Sequence, residues 1–149
     1  MISVQQINTN DPLYELERQL RNRILLRSIG LPDHAWEMHD EKSWHFVAIE
    51  NDEVIGCVVL NPLDKEGSKA QLMQMAVESS YQGKGIGKLL VIELLKFCVA
   101  EHIREVICHS RDTAVKFYLH LGFEIYGEPF EEVGILHYFM RKRLEEVEA

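Results

Sequence analysis

The heptapeptide Gln82-Gly83-Lys84-Gly85-Ile86-Gly87-Lys88 places three glycines in five positions, immediately before a long apolar run. Glycine reaches left-handed backbone angles at no steric cost and lets main-chain N–H groups come close to a ligand. Where such a stretch opens a helix, the first amides have no intrahelical acceptor and the macrodipole favours negative charge. The chemistry on offer is the binding of a phosphorylated anion, with Lys84 and Lys88 adding positive charge.

Spacing excludes two other phosphate loops. A P-loop needs Gly, four residues, then Gly-Lys-Ser/Thr, but counting from Gly83 puts Lys88 at the second glycine, and Leu89 follows Gly87-Lys88 where a hydroxyl belongs. The dinucleotide fingerprint Gly-x-Gly-x-x-Gly finds Lys88 at its third glycine, and the segments before it read as a hairpin instead of a βαβ unit. A nucleoside triphosphate or NAD is therefore disfavoured.

A second block carries groups able to move protons. Ala114, Phe117, Tyr118 and Leu121 recur at i, i+3, i+4, i+7, one face of a helix, with Gly122 as its stop and Phe123 following. A phenol of pKa about 10 donates a proton without being ionised at neutral pH, so Tyr118 is a candidate acid. His109 ends a predicted strand, and His137 lies in Gly134-Ile135-Leu136-His137-Tyr138-Phe139-Met140. Each is either a structural histidine or a base. His34, His39, His45, His102 and His120 lack the His-x-x-x-His or Cys pairing of a zinc site, so no metal is expected.

These groups need a scaffold. Ile2–Ile7 reads as a strand, and Asp11 and Pro12 start a helix that runs towards Arg27 and is stopped by Gly30 and Pro32. Runs 44–49 and 54–60, separated by Glu50-Asn51-Asp52-Glu53, read as an antiparallel hairpin. A strand over Lys69–Val77 leads into the glycines. The segment Ile86–Ala100 is apolar apart from Lys88, Glu93 and Lys96, which share one sector, so it is a mostly buried helix. Glu105–His109 is a further strand. Phe123–Tyr126 and Gly134–Met140 read as two strands joined by a Gly127-Glu128-Pro129 turn, and the charged tail beyond Arg141 reads as solvated. The order β, α, β, β, β, α, β, α, β, β, without repeat or linker, is one mixed α/β sheet domain over residues 1–149.

Composition agrees. A chain of 149 residues, 46% hydrophobic, buries a sufficient core without staples. A net charge of -8 supplies no field for nucleic acid or an anionic membrane. No apolar run approaches the roughly 20 residues that span a bilayer. Cys57, Cys98 and Cys108 are odd in number and lack ligand spacing, which fits buried free thiols in a reducing cytoplasm. Oligomeric state is open, a homodimer being one assembly the chain could form.

The two blocks together resemble the Gcn5-related N-acetyltransferase (GNAT) superfamily, in its small single-domain bacterial form. Gln82, Gly85 and Gly87 fill the pattern Gln/Arg-x-x-Gly-x-Gly/Ala, and Ala114, Phe117, Tyr118, Gly122 and Phe123 fill Ala-x-x-Phe-Tyr-x-x-x-Gly-Phe, over about residues 45–141. The stretch around His137 resembles a Gly-Ile-Pro-His-x-x-Met ending of one bacterial branch. The resemblance implies a three-layer α/β/α domain whose mostly antiparallel sheet splays at the cofactor site. It also implies acetyl transfer from acetyl-CoA to a primary amine of a small molecule or protein. On that reading Met75, Ala76 and Val77 pair with pantetheine and supply an oxyanion donor, and Gln82, Gly83, Lys84, Gly85, Ile86, Gly87 and Lys88 hold the pyrophosphate. Ala114 and Phe117 line the cofactor, and Tyr118 protonates the leaving sulfur.

Two departures stand out. The family's strand glutamate is absent, since Lys69–Val77 holds no carboxylate, which leaves a water, His137 or His109 as base. Arg111 stands where the family often has Asn, and either reaches a phosphate or points to solvent. The acceptor would meet the first helix and its following loop, with Arg21, Arg23, Arg27 and Trp36; those arginines otherwise form a solvated helix face. The alternatives to an enzyme are a non-catalytic acyl-CoA sensing module and a structural interaction domain with an empty cleft.

Overall fold

The computed structural model describes residues 1–144. The expectation of a solvated tail falls largely outside them, although the last strand continues past Arg141 to Arg143. Among the described residues seven strands hydrogen-bond in the order β1-β2-β3-β4-β5-β7-β6, a mixed sheet, with three α-helices. The chain gathers into two compact units, one from Met1–Asn61 and Met73–Lys96, the other from Pro62–Leu72 and the described residues from Phe97 onward.

In the first unit β1 (Ser3–Ile7) lies antiparallel to β2 (Trp44–Glu50), which pairs with β3 (Glu53–Pro62). The hairpin turn is the pair Asn51-Asp52, with φ of 52° and 63°. Two consecutive left-handed residues make the type I′ turn whose twist matches a β-ribbon, and Asn and Asp tolerate that geometry best after glycine. The Asp11 carboxylate accepts the Leu13 amide at 2.9 Å and so starts α1 (Leu13–Arg21). A π turn (Asn22–Leu26) and a 3₁₀ turn (Arg27–Ile29) carry the helical path on to Gly30, the expected stop. Beneath α1, Ile7, Leu20, Val47, Val54, Cys57 and Ala76 form a buried apolar cluster.

The strand β4 (Lys69–Val77) and the helix α2 (Ile86–Ala100) have the expected bounds. Gly56 on β3 is required by space: a Cβ there would sit 2.9 Å from Ile86 Cγ2 and 3.1 Å from Leu90 Cδ1. The helix carrying the glycine-rich loop thus rests directly on strand backbone.

In the second unit the N-terminal part of β4 is parallel to β5 (Glu105–Arg111) over Lys69↔Glu105, Ala70↔Val106 and Gln71↔Ile107. β5 is antiparallel to β7 (Ile135–Arg143), which is antiparallel to β6 (Glu124–Glu132). The short α3 (Val115–His120) follows a 3₁₀ turn at Asp112–Ala114.

The expected Gly127-Glu128-Pro129 turn is corrected. Those residues lie inside β6, where the register shifts between Tyr126 and Phe130, and the reversal is made by Val133-Gly134. Proline cannot donate to a ladder and is confined to edges and bulges; β6, the outermost strand, offers both. Val133 takes φ of 47°, an unusual angle for a β-branched residue, so its type gives no turn signal.

Gly56→Val is expected to destabilise the chain by about 1–3 kcal/mol through overpacking against Ile86 and Leu90, read as a lower urea midpoint. An unchanged midpoint would contradict the close approach.

Candidate functional site

The glycine-rich loop has the geometry its composition implies. Gly83 and Gly85 have φ of 79° and 84°, and a Cβ on either would meet no atom within 4 Å. Glycine is needed there for backbone angle, and the space beside it is open. The Leu89 amide bonds to the Gly85 carbonyl at 3.0 Å, so the amides of Ile86, Gly87 and Lys88 precede that bond and have no helical acceptor. Gln82 Nε2 donates to the Val77 carbonyl at 3.0 Å, tying the loop to the end of β4. Tyr81 is anchored by its hydroxyl on Glu50 at 2.5 Å, and the Lys84 ammonium lies 5.4 Å from the Tyr81 ring centroid. Amides without a helical acceptor, open space beside the glycines, a helix N-terminus and two exposed lysines fit a pyrophosphate.

Between α1 and β4 lies a buried polar group of which the sequence pointed to Arg21, Trp36 and His45 singly but not to their convergence. Arg21 is 3% exposed and donates five hydrogen bonds. Nε reaches Gln74 Oε1 at 2.8 Å, Nη1 reaches Glu17 and Asp40 at 2.9 Å each, and Nη2 reaches the Trp36 carbonyl at 2.9 Å and Asp40 at 3.1 Å. His45, fully buried, faces Glu17 at 2.8 Å through Nδ1 and the Asp40 carbonyl at 2.8 Å through Nε2. The Tyr14 hydroxyl donates to Asp40 at 2.5 Å. Two acceptors on opposite sides of one imidazole call for both N–H groups, so Glu17⁻, Asp40⁻, Arg21⁺ and His45⁺ form a neutral quartet. Burial alone would lower the His45 pKa, but the hydrogen bond and charge of Glu17, with Asp40, raise it above the ordinary 6.5.

The solvated-face reading of the arginines is therefore corrected for Arg21, whose donors are all used inside the protein. Arg23 and Arg27 are exposed but paired, to Glu78 at 3.0 Å and Asp33 at 2.6 Å. Trp36 contributes its carbonyl. The one signal in the sequence was Glu17 and Arg21 at i, i+4, the spacing of an ion pair on a helix; Asp40, His45 and Gln74 arrive from distant segments.

Gln74 is itself unusual, with φ of 51° in the middle of β4. A non-glycine residue held there costs about 1–3 kcal/mol and persists only where its surroundings over-determine it. Its Oε1 accepts from Arg21, its Nε2 donates to the Trp36 carbonyl at 2.8 Å, and its own carbonyl accepts the Cys57 thiol at 3.6 Å. Burial, with the charge of Glu17 behind it, raises the Cys57 pKa, so the thiol stays protonated. Just after Gln74, Met75 and Val77 are half-buried and Ala76 is buried.

In the second unit Tyr118 is 6% exposed, its ring edge-on to Phe117 at 5.1 Å and to Phe123 at 5.4 Å. Burial, then Cys108, raises its pKa, so the phenol is protonated throughout the neutral range. His109 and His137 converge on Glu132, which sequence reasoning did not single out. His109 Nδ1 is 3.4 Å from its carboxylate and His137 Nε2 is 3.6 Å. His137 is buried and donates from Nδ1 to the Ile135 carbonyl at 2.7 Å, which leaves Nε2 the nitrogen turned to Glu132. Phe130 stacks on His137 at 5.6 Å and meets His109 edge-on at 5.3 Å. Arg111 ends β5 opposite His137, and Ala114 lies in the turn before α3. The three cysteines are free and buried; burial pushes the Cys98 and Cys108 thiols up to about 12. Among the described residues no cluster of three or more His, Cys, Asp or Glu could hold a metal, and no helix is long and apolar enough to cross a membrane.

A mixed sheet with a glycine-rich loop between β4 and the N-terminus of α2 has the architecture of an acetyltransferase-type α/β fold. A family model described as an acetyltransferase (GNAT) domain matches residues 30–144. N-acetylaspartate synthetase of Xenopus tropicalis is 32% identical over 101 residues, covering 68% of this chain and 35% of that protein. N-acetyltransferase 8B of Rattus norvegicus is 31% identical over 99 residues, covering 62% and 45%. Among solved structures, Escherichia coli ElaA superposes with a TM-score of 0.83 at 22% identity, covering 95% of this chain and 99% of that one. A GNAT acetyltransferase of Elizabethkingia anophelis with acetyl-CoA bound gives 0.74 at 19% identity, covering 96% and 98%. The chain belongs to the GNAT acetyltransferase family. It spans less than half the length of the curated relatives it matches.

His45 carries a pH prediction. Because its folded pKa lies above 6.5, the quartet's contribution to stability is complete below about pH 6.5 and is lost as pH rises through the folded value. The urea midpoint should therefore fall as pH rises above about 6.5, and His45→Gln should flatten that fall. A midpoint rising with pH in that window would contradict the assignment.

Proposed function

We propose that the chain is one acyl-CoA N-acyltransferase domain that moves an acetyl group from acetyl-CoA to a primary amine of a small molecule or a protein. The observation that carries the reading is the open, left-handed glycine loop at the N-terminus of α2, next to the end of β4. The acetyl-CoA held by the Elizabethkingia anophelis relative supports it. A reducing, cytoplasmic setting is in keeping with three buried free thiols.

In this reading the amides of Gly83–Lys88 hold the pyrophosphate, Gln82 keeps the loop docked, and the backbone of Met75, Ala76 and Val77 pairs with pantetheine. Arg111, Ala114 and Phe117 line the cofactor. The neutral amine attacks the thioester carbon directly. The carbonyl electrons move to oxygen, where a backbone N–H of β4 stabilises the oxyanion. Collapse forms the amide and breaks the C–S bond, and Tyr118 gives its proton to the departing thiolate. Burial keeps the phenol protonated, so the proton is present to give, while the same burial makes it a weaker acid. The proton of the attacking nitrogen leaves through His137 or His109, with Glu132 beside both to stabilise the imidazolium.

Acetyl-CoA at 100 times its dissociation constant should stabilise the chain by about 2.7 kcal/mol, seen as a raised melting temperature. Tyr118→Phe should keep that shift and lose about a hundredfold in kcat when CoA release is followed over amines and peptides. Full activity in the variant would remove Tyr118 from the acid role. Binding without turnover on any acceptor would identify a sensing module, and no thermal shift at all would sink the acyl-CoA reading.

A further inference from the structure

The geometry points to Gln74 as a positioning residue that aims the Met75 N–H at the thioester oxygen, with the buried Glu17–Arg21–Asp40–His45 quartet as the fixed frame that holds it. The inference deepens the acyl-CoA reading above and rests on it.

A left-handed residue inside a strand turns the following peptide out of the ladder's alternation, as in a bulge. The Gln74–Met75 peptide is planar and trans, so its C=O and N–H point in opposite directions. The Gln74 carbonyl faces the Cys57 thiol on β3, and the Met75 N–H is therefore directed away from Cys57. The parallel ladder of β4 with β5 runs through Gln71 and does not extend to this peptide. That geometry turns the N–H away from β3, beyond the point where the ladder with β5 is recorded.

The angle at Gln74 is costly for any residue but glycine, so the side chain must hold it. The amide has one orientation compatible with its partners, because an arginine N–H can only donate and the Trp36 carbonyl can only accept. Arg21 in turn has no freedom: its other four N–H groups are taken by Glu17, Asp40 and the same Trp36 carbonyl, in a site closed to water. A neutral quartet of buried ions is weak evidence for stability, since apolar packing often does as well. What it supplies is a rigid reference for one peptide plane, which apolar packing does not hold as narrowly.

The test uses acetyl-CoA labelled with ¹³C at the thioester carbonyl, whose infrared stretch falls when the oxygen accepts a hydrogen bond. Gln74→Gly relieves the backbone angle but removes both side-chain bonds, Gln74→Met keeps the volume without them, and Gln74→Glu keeps the bond from Arg21 while losing the donation to Trp36. Wild type should show the downshift on binding. The Gly and Met variants should lose most of it and about tenfold or more in kcat, with CoA affinity changed by no more than about threefold, and Gln74→Glu should fall between. Binding by wild type with no downshift, or with the same downshift in all three variants, overturns the role of Gln74 and leaves the acyl-CoA reading standing. Loss of CoA binding in all three variants also overturns it, by making the residue a support of the whole fold. Failure of wild type to bind acetyl-CoA sinks the reading and the inference together.

Discussion

A guanidinium taken out of water must find an acceptor for each of its five N–H groups, and Arg21 finds them on three separate stretches of chain. Glu17 comes from its own helix, Asp40 and the Trp36 carbonyl from the loop after it, and Gln74 from β4. Meeting that demand fixes α1, the loop and the strand relative to one another within the first unit. The second carboxylate would leave excess negative charge in a dry site; His45 removes it by binding a proton between Glu17 and the Asp40 carbonyl. Charge neutrality and full hydrogen bonding are what make such burial tolerable.

From that frame the chain builds two kinds of backbone feature that most sequences avoid. One is the left-handed angle at Gln74, held by side-chain bonds. The other is the pair of left-handed glycines at 83 and 85, which need no holding because glycine has no Cβ to clash. The first presents a single peptide N–H, the second a set of helix-terminal amides. Both use main-chain donors, which cannot titrate and lose little entropy on binding. On the proposed reading, such donors let an acidic chain of net charge -8 offer an anion a favourable site.

The strands and helices around these features were legible because their signals are local. Polar Asn51-Asp52 between apolar runs, the carboxylate of Asp11 before Pro12, and the apolar sweep from Ile86 to Ala100 each specify an element through residues a few positions apart. The β6–β7 reversal was not legible. Gly127 and Pro129 carry the strongest turn chemistry in that region, yet an edge strand absorbs them as a bulge, and the reversal falls on Val133-Gly134 where the first residue argues against it. The carboxylate between His109 and His137 was missed for a related reason: Glu132 meets them only through the β5–β7–β6 pairing.

By itself the sequence determined the glycine loop and its place between a strand and a helix, the Phe117-Tyr118 block, the order of the elements and the free state of the cysteines. Each of these depends on backbone freedom, periodicity or composition within a short window. Only the tertiary structure decided that Arg21 is a buried donor and not a surface charge, that His45 lies between two acceptors, and that Gln74 takes a left-handed angle within β4. Those properties arise from groups 4 to 53 residues apart meeting where water is excluded. There hydrogen bonding and charge balance, rather than the type of any one residue, set what each group does.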